Sequence, residues 1–369
     1  MADTSYGVND PLAVKLYSKE LFHDVIGASF FGKFMGKSSS DLIQTKTETQ
    51  KSAGDSIKFG LRTLLSGDGV QGDTTQEGAE EALSTYNDTV LINQLRHAVR
   101  SGGRMSEQRV HFSVRDEAKD GLQDWWTERI ETSLANQLTG YTTQTDTKFT
   151  GNNSTIAPTA TFRLLCGGSS VAGAAAAEGS LSATTTHAIK LADLDRAVAI
   201  AKTTQVSGGK TYQRIRPLRV DGKDMYVCFL HPWQILQLRK DTATTGSFFD
   251  IQKAAMQGGK YSENPIVTGG NFIYNNVIVH EWSYLPNIVS SPASGATTDF
   301  RRGVFCGAQA AVCAYGQDGS ANKMSWNEEL FDYKNKLGVE AGMIFGIKKT
   351  VFNSADFATI VLSGYAPAP

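Results

Sequence analysis

Residues 106–140, SEQRVHFSVRDEAKDGLQDWWTERIETSLANQLTG, decide what kind of protein this is. Apolar side chains stand at Val110, Val114, Ala118, Leu122, Trp126, Ile130, Leu134 and Leu138. Side chains four apart stack on one face of an α-helix, so the spacing predicts one long amphipathic rod with a single buried stripe. Trp125 sits at the margin of that stripe. Two starts are open, Ser106 as N-cap or the capping box Ser113-Val-Arg-Asp116. Gly140 supplies the stop, because glycine takes the left-handed conformation past a helix end without a Cβ penalty. At 1.5 Å per residue the rod is about 40–50 Å long, more than a small domain is wide. A rod of this length braces a flat or extended protein.

Upstream, Ile57, Phe59 and Leu61 alternate with Lys58, Gly60 and Arg62, the signature of a half-exposed strand over residues 56–65. A glycine-rich, acidic stretch covers 66–88. A second strand-like run, Thr89–Val99, follows, interrupted at Asn93-Gln94. Strand, long polar tip and strand make an extended hairpin, and a two-stranded ribbon is at best marginally stable alone. It should lie on a partner. Before it, residues 1–50 mix a short helix from Pro11, the cluster Phe30, Phe31, Phe34 and Met35, and a polar strand-like tail; they read as an arm that must rest on something else. The tip carries Asp68, Asp73, Glu77, Glu80 and Glu81, and the arm carries Lys15, Lys19, Lys33 and Lys37. Opposite charge makes a tip-to-arm contact between subunits the expected register, with Lys15 and Lys19 as its leading partners.

After the rod, residues 141–187 are rich in Thr, Ser, Gly and Ala and read as a surface excursion. A second lobe then opens with a helix over Leu191–Thr203. The uniformly apolar Met225–Leu230 is a strand buried on both faces, and Pro232 is placed for a helix start. A helix near Phe248–Met256, strands near 272–274 and 277–281, and the apolar run Gly303–Ala314 complete a mixed α/β sheet. From Trp326 to Leu362 the pattern returns to strands, expected to rejoin the sheet beside the rod.

At 369 residues, two or three lobes are expected. Charge is balanced, 36 basic against 37 acidic residues, which excludes a surface given over to gripping nucleic acid or an anionic membrane. Cys166, Cys228, Cys306 and Cys313 match no zinc spacing and are too few for a disulfide framework, so a reducing compartment is expected. The start, MADTSYGVNDPLAV, lacks a signal peptide's basic and apolar parts, and no run reaches the ~18–20 apolar residues of a membrane span. The sequons at Asn87 and Asn153 then carry no weight.

Motifs for chemistry fail on context. Gly67-Asp-Gly69-Val-Gln-Gly72 spells a dinucleotide fingerprint, but the acidic, glycine-broken Asp73–Gly78 follows where a phosphate-binding helix would have to start. His280-Glu281 resembles the start of a zinc-protease motif, yet position 284 is Tyr and the pair faces opposite sides of a strand. The six histidines and the carboxylates are scattered. No catalytic, cofactor-binding or metal-ligating set is read from the chain.

The order of arm, long hairpin, long helix, α/β lobe and returning strands resembles the Hong Kong 97-type capsid fold of tailed bacteriophages. Within it, the chain is similar to the major capsid protein family of N-four-like phages. The similar stretches are PLRVDGKDMYVCFLHP (Pro217–Pro232), Asn264-Pro-Ile-Val-Thr-Gly-Gly270, Val277-Ile-Val-His-Glu281, Gly307-Ala-Gln-Ala310, Phe331-Asp-Tyr333, Gly346–Phe352 and Asp356-Phe357. The resemblance implies an α+β fold of five parts: N-terminal arm 1–50, extended loop 51–104, spine helix with the first part of a peripheral domain 105–188, axial domain 189–325, and returning peripheral strands 326–369. It implies a structural protein with no cofactor, found in the virion and made in the bacterial cytoplasm. Its partners are further copies of itself in hexamers and pentamers, with portal, scaffolding and decoration proteins as further candidates. Packaged DNA lies inside without sequence-specific binding, and no membrane is involved. Val114, Ala118, Leu122, Trp126, Ile130 and Leu134 form the spine-helix core on this reading. The rivals are an encapsulin-like nanocompartment and a cytosolic α/β enzyme.

Overall fold

A computed structural model describes residues 21–47 except 23 and 27, 54–62, 69–77 except 74, 80, 85–111, 113–168, 178–220, 222–240, 272–316 and 323–369. The longer elements are numbered in chain order. Strand β1 is Ile43–Lys46; β2 (Ser56–Arg62) and β3 (Thr85–Leu91) form the ribbon; β4 is Asn93–Arg100. Helices α1 (Arg104–Gln108) and α2 (Val114–Thr139) follow, then β5 (Leu164–Cys166) and α3 (Leu191–Lys202). The second lobe holds β6 (Lys223–Leu230), α4 (Pro232–Lys240), β7 (Phe272–Tyr274), β8 (Val277–Glu281) and β9 (Phe300–Cys306). Strands β10 (Ala311–Tyr315), β11 (Met324–Phe331), β12 (Lys336–Lys349) and β13 (Thr359–Tyr365) close the chain. The helix expected near Phe248–Met256 lies outside the described residues.

The rod is α2, 26 residues or about 39 Å. The Ser113 hydroxyl accepts the Asp116 N–H at 3.4 Å, and Gly140 ends the helix at φ +62°. A Cβ at Gly140 would meet the Ile156 carbonyl oxygen at 2.5 Å, so both its conformation and its neighbour require glycine. Ser106 belongs instead to α1, one turn and a half whose Gly103 cap has no side chain to offer. The chain bends between the two helices, so Val110 is off the stripe and 36% exposed. Val114 is half-buried, while Ala118, Leu122, Trp126, Ile130, Leu134 and Leu138 are buried.

Two sheets flank this helix. In the first, β12 is the axle: it pairs antiparallel with β10 (Ala311 opposite Lys349), β11 (Met324 opposite Met343) and β4 (Arg100 opposite Gly338). Strand β1 adds to β10 in parallel. Val339, Ala341, Met343, Phe345 and Ile347 alternate along β12 and are buried in the core that takes the stripe; Trp126 meets Phe345 edge-on at 5.9 Å. The second sheet runs β7-β8-β6-β9-β13-β5, with β6 parallel to β8 and antiparallel to β9. Buried residues of both lobes form one continuous cluster.

Four expectations need correcting. The run 89–99 is two strands: β3 pairs with β2, whereas β4 leaves the ribbon and joins β12. The break falls at Ile92, whose N–H donates to the Asp55 carbonyl at 2.9 Å, and not at the expected Asn93-Gln94, which are the first two residues of β4 and pair with Phe345 and Ile344. The run 303–314 is likewise split, β9 in the second sheet and β10 in the first. Of the closing strands, β11 and β12 return beside the rod, but β13 crosses to the second sheet and pairs with β9 along Phe300–Cys306. Residues 141–187 are not a surface excursion throughout, because Thr150, Asn153, Arg163 and Glu178 are buried polar anchors.

Candidate assembly surface

The arm does not float. Phe31 packs against Trp282 at 4.4 Å and Phe229 at 5.2 Å, and Phe34 meets His280 at 5.2 Å and Phe229 at 5.3 Å. Fully burying one such side chain is worth about 1.5–3 kcal/mol. The Glu131 carboxylate of α2 accepts the Phe30 N–H at 2.8 Å, and Lys119 reaches Asp24 at 3.5 Å. Burial raises the Glu131 carboxyl above its ordinary range, with the Phe30 hydrogen bond opposing. Lys33 lies over the rings of Phe30 (4.4 Å) and Phe34 (5.1 Å), and burial lowers its ammonium pKa. Lys33 is therefore committed to its own arm, whereas Lys37 is exposed.

The ribbon is clamped at its base. Ile57 and Val90 are buried with Val312 and Ala314, and Phe59 meets Phe352 edge-on at 5.6 Å. The Asn153 side chain accepts the Leu91 N–H at 2.9 Å and donates to the Leu91 carbonyl at 3.0 Å, imitating a ladder partner. Asp88 pairs with Lys348 and also accepts the Val351 N–H at 3.2 Å, and Lys348 donates to the Thr89 carbonyl at 2.8 Å. Beyond that base, Asp73, Glu77 and Glu80 are exposed. Asp68 and Glu81, with Lys15 and Lys19, lie outside the described residues. The ribbon is thus fixed at its root, and the described acidic residues of its far end are exposed.

A second knot joins the rod to the second sheet. Arg302 of β9 forks onto Glu178, Nε to Oε1 at 2.6 Å and Nη2 to Oε2 at 2.8 Å. Its Nη1 donates to the last carbonyls of α2, Thr139 at 3.1 Å and Gly140 at 2.9 Å. Ser363 of β13 and the Val289 N–H complete the carboxylate at 2.7 and 2.9 Å. Burial alone would raise the Glu178 pKa, but the Arg302 contacts overcome it and hold the carboxyl below its ordinary value. Sequence reasoning missed this knot; its one visible trace was a pair of arginines, Arg301-Arg302, opening an otherwise apolar run.

His280 is fully buried while Glu281 is exposed, as opposite faces of β8 require. All four cysteines are free and buried. Among the described residues no three His, Cys, Asp or Glu side chains gather to hold a metal ion, and no helix is long and apolar enough to cross a membrane.

Comparison with known proteins adds identity to this geometry. The family model described as phage capsid protein matches residues 5–368. The major capsid protein of Pseudomonas phage KPP25 is 28% identical over 374 residues, covering 94% of this chain and 93% of that one. The capsid structure of Ralstonia phage GP4 superposes with a TM-score of 0.78 at 34% identity, covering 100% of this chain and 99% of that one. The capsid of cyanophage Pam1 shares the fold at a TM-score of 0.68 and 21% identity, covering 93% and 94%. The fold is α+β, of the Hong Kong 97-like kind found in tailed-phage capsids. A match running from residue 5 to residue 368 leaves no part of the lobes, ribbon or rod unassigned, and the chain belongs to the phage capsid protein family as a structural subunit of the shell.

Proposed function

We propose that this chain is a major capsid protein whose copies assemble as hexamers and pentamers into an icosahedral shell around a double-stranded DNA genome, acting as a building block and not as a catalyst. The observation that carries the reading is the end-to-end likeness to the Ralstonia phage GP4 capsid at 34% identity. On this reading residues 1–50 serve as arm, 51–104 as extended loop, 105–188 as spine and first peripheral part, 189–325 as axial domain and 326–369 as returning strands. The acidic tip (Asp68, Asp73, Glu77, Glu80, Glu81) meets basic arm residues of a neighbour, Lys15 and Lys19 first among them. Exposed pairs contribute only ~0–1 kcal/mol each, so they set register and weaken with salt. Portal, scaffolding and decoration proteins are further partners on this view.

Light scattering and negative-stain microscopy of the purified full chain test the proposal. Capsomers or closed shells are expected under assembly conditions. A chain that stays monomeric across concentration, pH and salt would overturn it. For the tip, reversing Asp73, Glu77 and Glu80 to lysine should slow assembly, and reversing Lys15 and Lys19 to glutamate in the same chain should restore it. Unchanged assembly of the acidic-tip variant would discard that register.

A further inference from the structure

The ribbon runs along the first sheet in a fixed direction. It starts with Ile92 against Gly316 and passes Val90 beside Gly346. Asp88 then meets Lys348 and Val351, and Phe59 meets Phe352. The ribbon therefore points toward the end of β10 where Ala311 pairs with Lys349, and away from the end at Tyr315. Its charge is of one sign. Between Arg62 and Arg96 the chain has no lysine or arginine, and Asp73 and Glu77 are exposed.

The Tyr315 end of the same sheet gathers cations. The short strand Met35–Gly36, β1 and β10 run parallel, so Lys37, Lys46 and Tyr315 stand together where those strands end. Lys323, just before β11, holds its ammonium 4.2 Å from the Tyr315 ring centre and 4.7 Å from that of Phe22. Those two rings meet edge-on at 5.8 Å, so the cation rests on a built aromatic corner. Burial lowers the Lys323 pKa, and the like charge of Lys37 lowers it further. Lys46 is already engaged, but among the described residues neither Lys37 nor Lys323 has a carboxylate partner. The two described acids of the arm are used elsewhere: Asp41 accepts the Ser38 N–H at 2.8 Å, and Asp24 pairs with Lys119 at 3.5 Å. Two ammonium groups held near one another repel, and an anion from outside relieves that cost. We propose, resting on the capsid reading, that Lys37 and Lys323 receive the acidic ribbon of a second copy of this chain. Complementary charges directed to opposite ends of one sheet make the contact head-to-tail, the kind that repeats from copy to copy and closes into a ring. Pairs of this kind act mainly on encounter rate and register.

The test uses the full chain and two readouts. All four native cysteines are buried, so Lys37→Cys chains and Glu77→Cys chains can be mixed, assembled and oxidised with copper–phenanthroline. A disulfide-linked heterodimer is expected on a non-reducing gel, well above the dimer that either chain gives alone. Charge reversal supplies the second readout. Lys37→Glu with Lys323→Glu, and Asp73→Lys with Glu77→Lys, should each slow assembly about tenfold or more, and all four changes together should restore it. Should Lys323→Glu fail to fold, Lys37→Glu and the disulfide decide. If wild type assembles but no heterodimer forms, or Lys37→Glu leaves the rate unchanged, this receiving site is overturned and the capsid reading stands. If wild type never assembles, both fall.

Discussion

At the scale of single residues, the strongest commitments are buried charges, and Arg302 with Glu178 is the clearest. Every hydrogen-bonding position of that carboxylate is used by groups from β9, β13 and the loop before β9, so the pair holds the rod's end, the second sheet and the 141–187 segment in one arrangement. Glu178→Gln leaves a buried guanidinium without its counter-charge and should cost about 3–5 kcal/mol. The sign with pH follows from the lowered pKa. Glu178 is a stronger acid folded than unfolded, so its contribution is fully present above the unfolded value of about 4.3 and is lost as pH falls through the folded one. Melting curves of wild type and Glu178→Gln should therefore be well separated at pH 7 and converge toward pH 3. A gap that stays constant across that range would show that Glu178 does not act as a charge. Glu131 has the opposite sign: burial raises its pKa, so ionisation works against folding at neutral pH. None of these pairings was legible in the sequence, because the partners stand 124 and 185 residues apart.

Elements tell a different story, since their information is local. A stripe repeated every four residues needs no distant partner to be read, and α2 carries it from Ala118 to Leu138. Its start was ambiguous because Ser106 and Ser113 are equally good caps by residue type; the structure uses Ser113, whose hydroxyl meets Asp116. The consequence is testable within one stretch. Leu122→Ala removes a fully buried side chain and should cost roughly 2–5 kcal/mol, lowering soluble yield, whereas Val110→Ala, on the bend, should change stability by less than about 0.5 kcal/mol. Equal melting temperatures for the two variants would show that the stripe has been misplaced. Strand partners, unlike the stripe, were illegible. Nothing local in Asn93–Arg100 announces that it leaves the ribbon for β12, or in Thr359–Tyr365 that it crosses to β9; both pairings join segments far apart in the chain.

For the whole molecule, the question is what holds neighbouring copies together when the ribbon's base is already committed to its own subunit. Some shells of the Hong Kong 97 type lock through an isopeptide bond between a hairpin lysine and an asparagine of another subunit. That chemistry requires an amine on the projecting loop, made nucleophilic by losing its proton in a partly desolvated site. From Phe59 to Ala118 the chain contains no lysine, and arginine stays protonated at working pH and does not substitute. Lys58 stands opposite Thr89, within the base that Asp88, Lys348 and Asn153 hold against the subunit's own sheet, so it does not travel with the tip. Lys348 is itself paired with Asp88. The contacts between copies should accordingly be noncovalent, built from burial, arm and ribbon overlap, and salt-sensitive charge pairs. Boiled, reduced particles should run on a denaturing gel as one band near 39.9 kDa. A ladder of higher oligomers surviving that treatment, with a lysine–asparagine isopeptide located by mass spectrometry, would refute the noncovalent shell and would place the donor amine outside the ribbon.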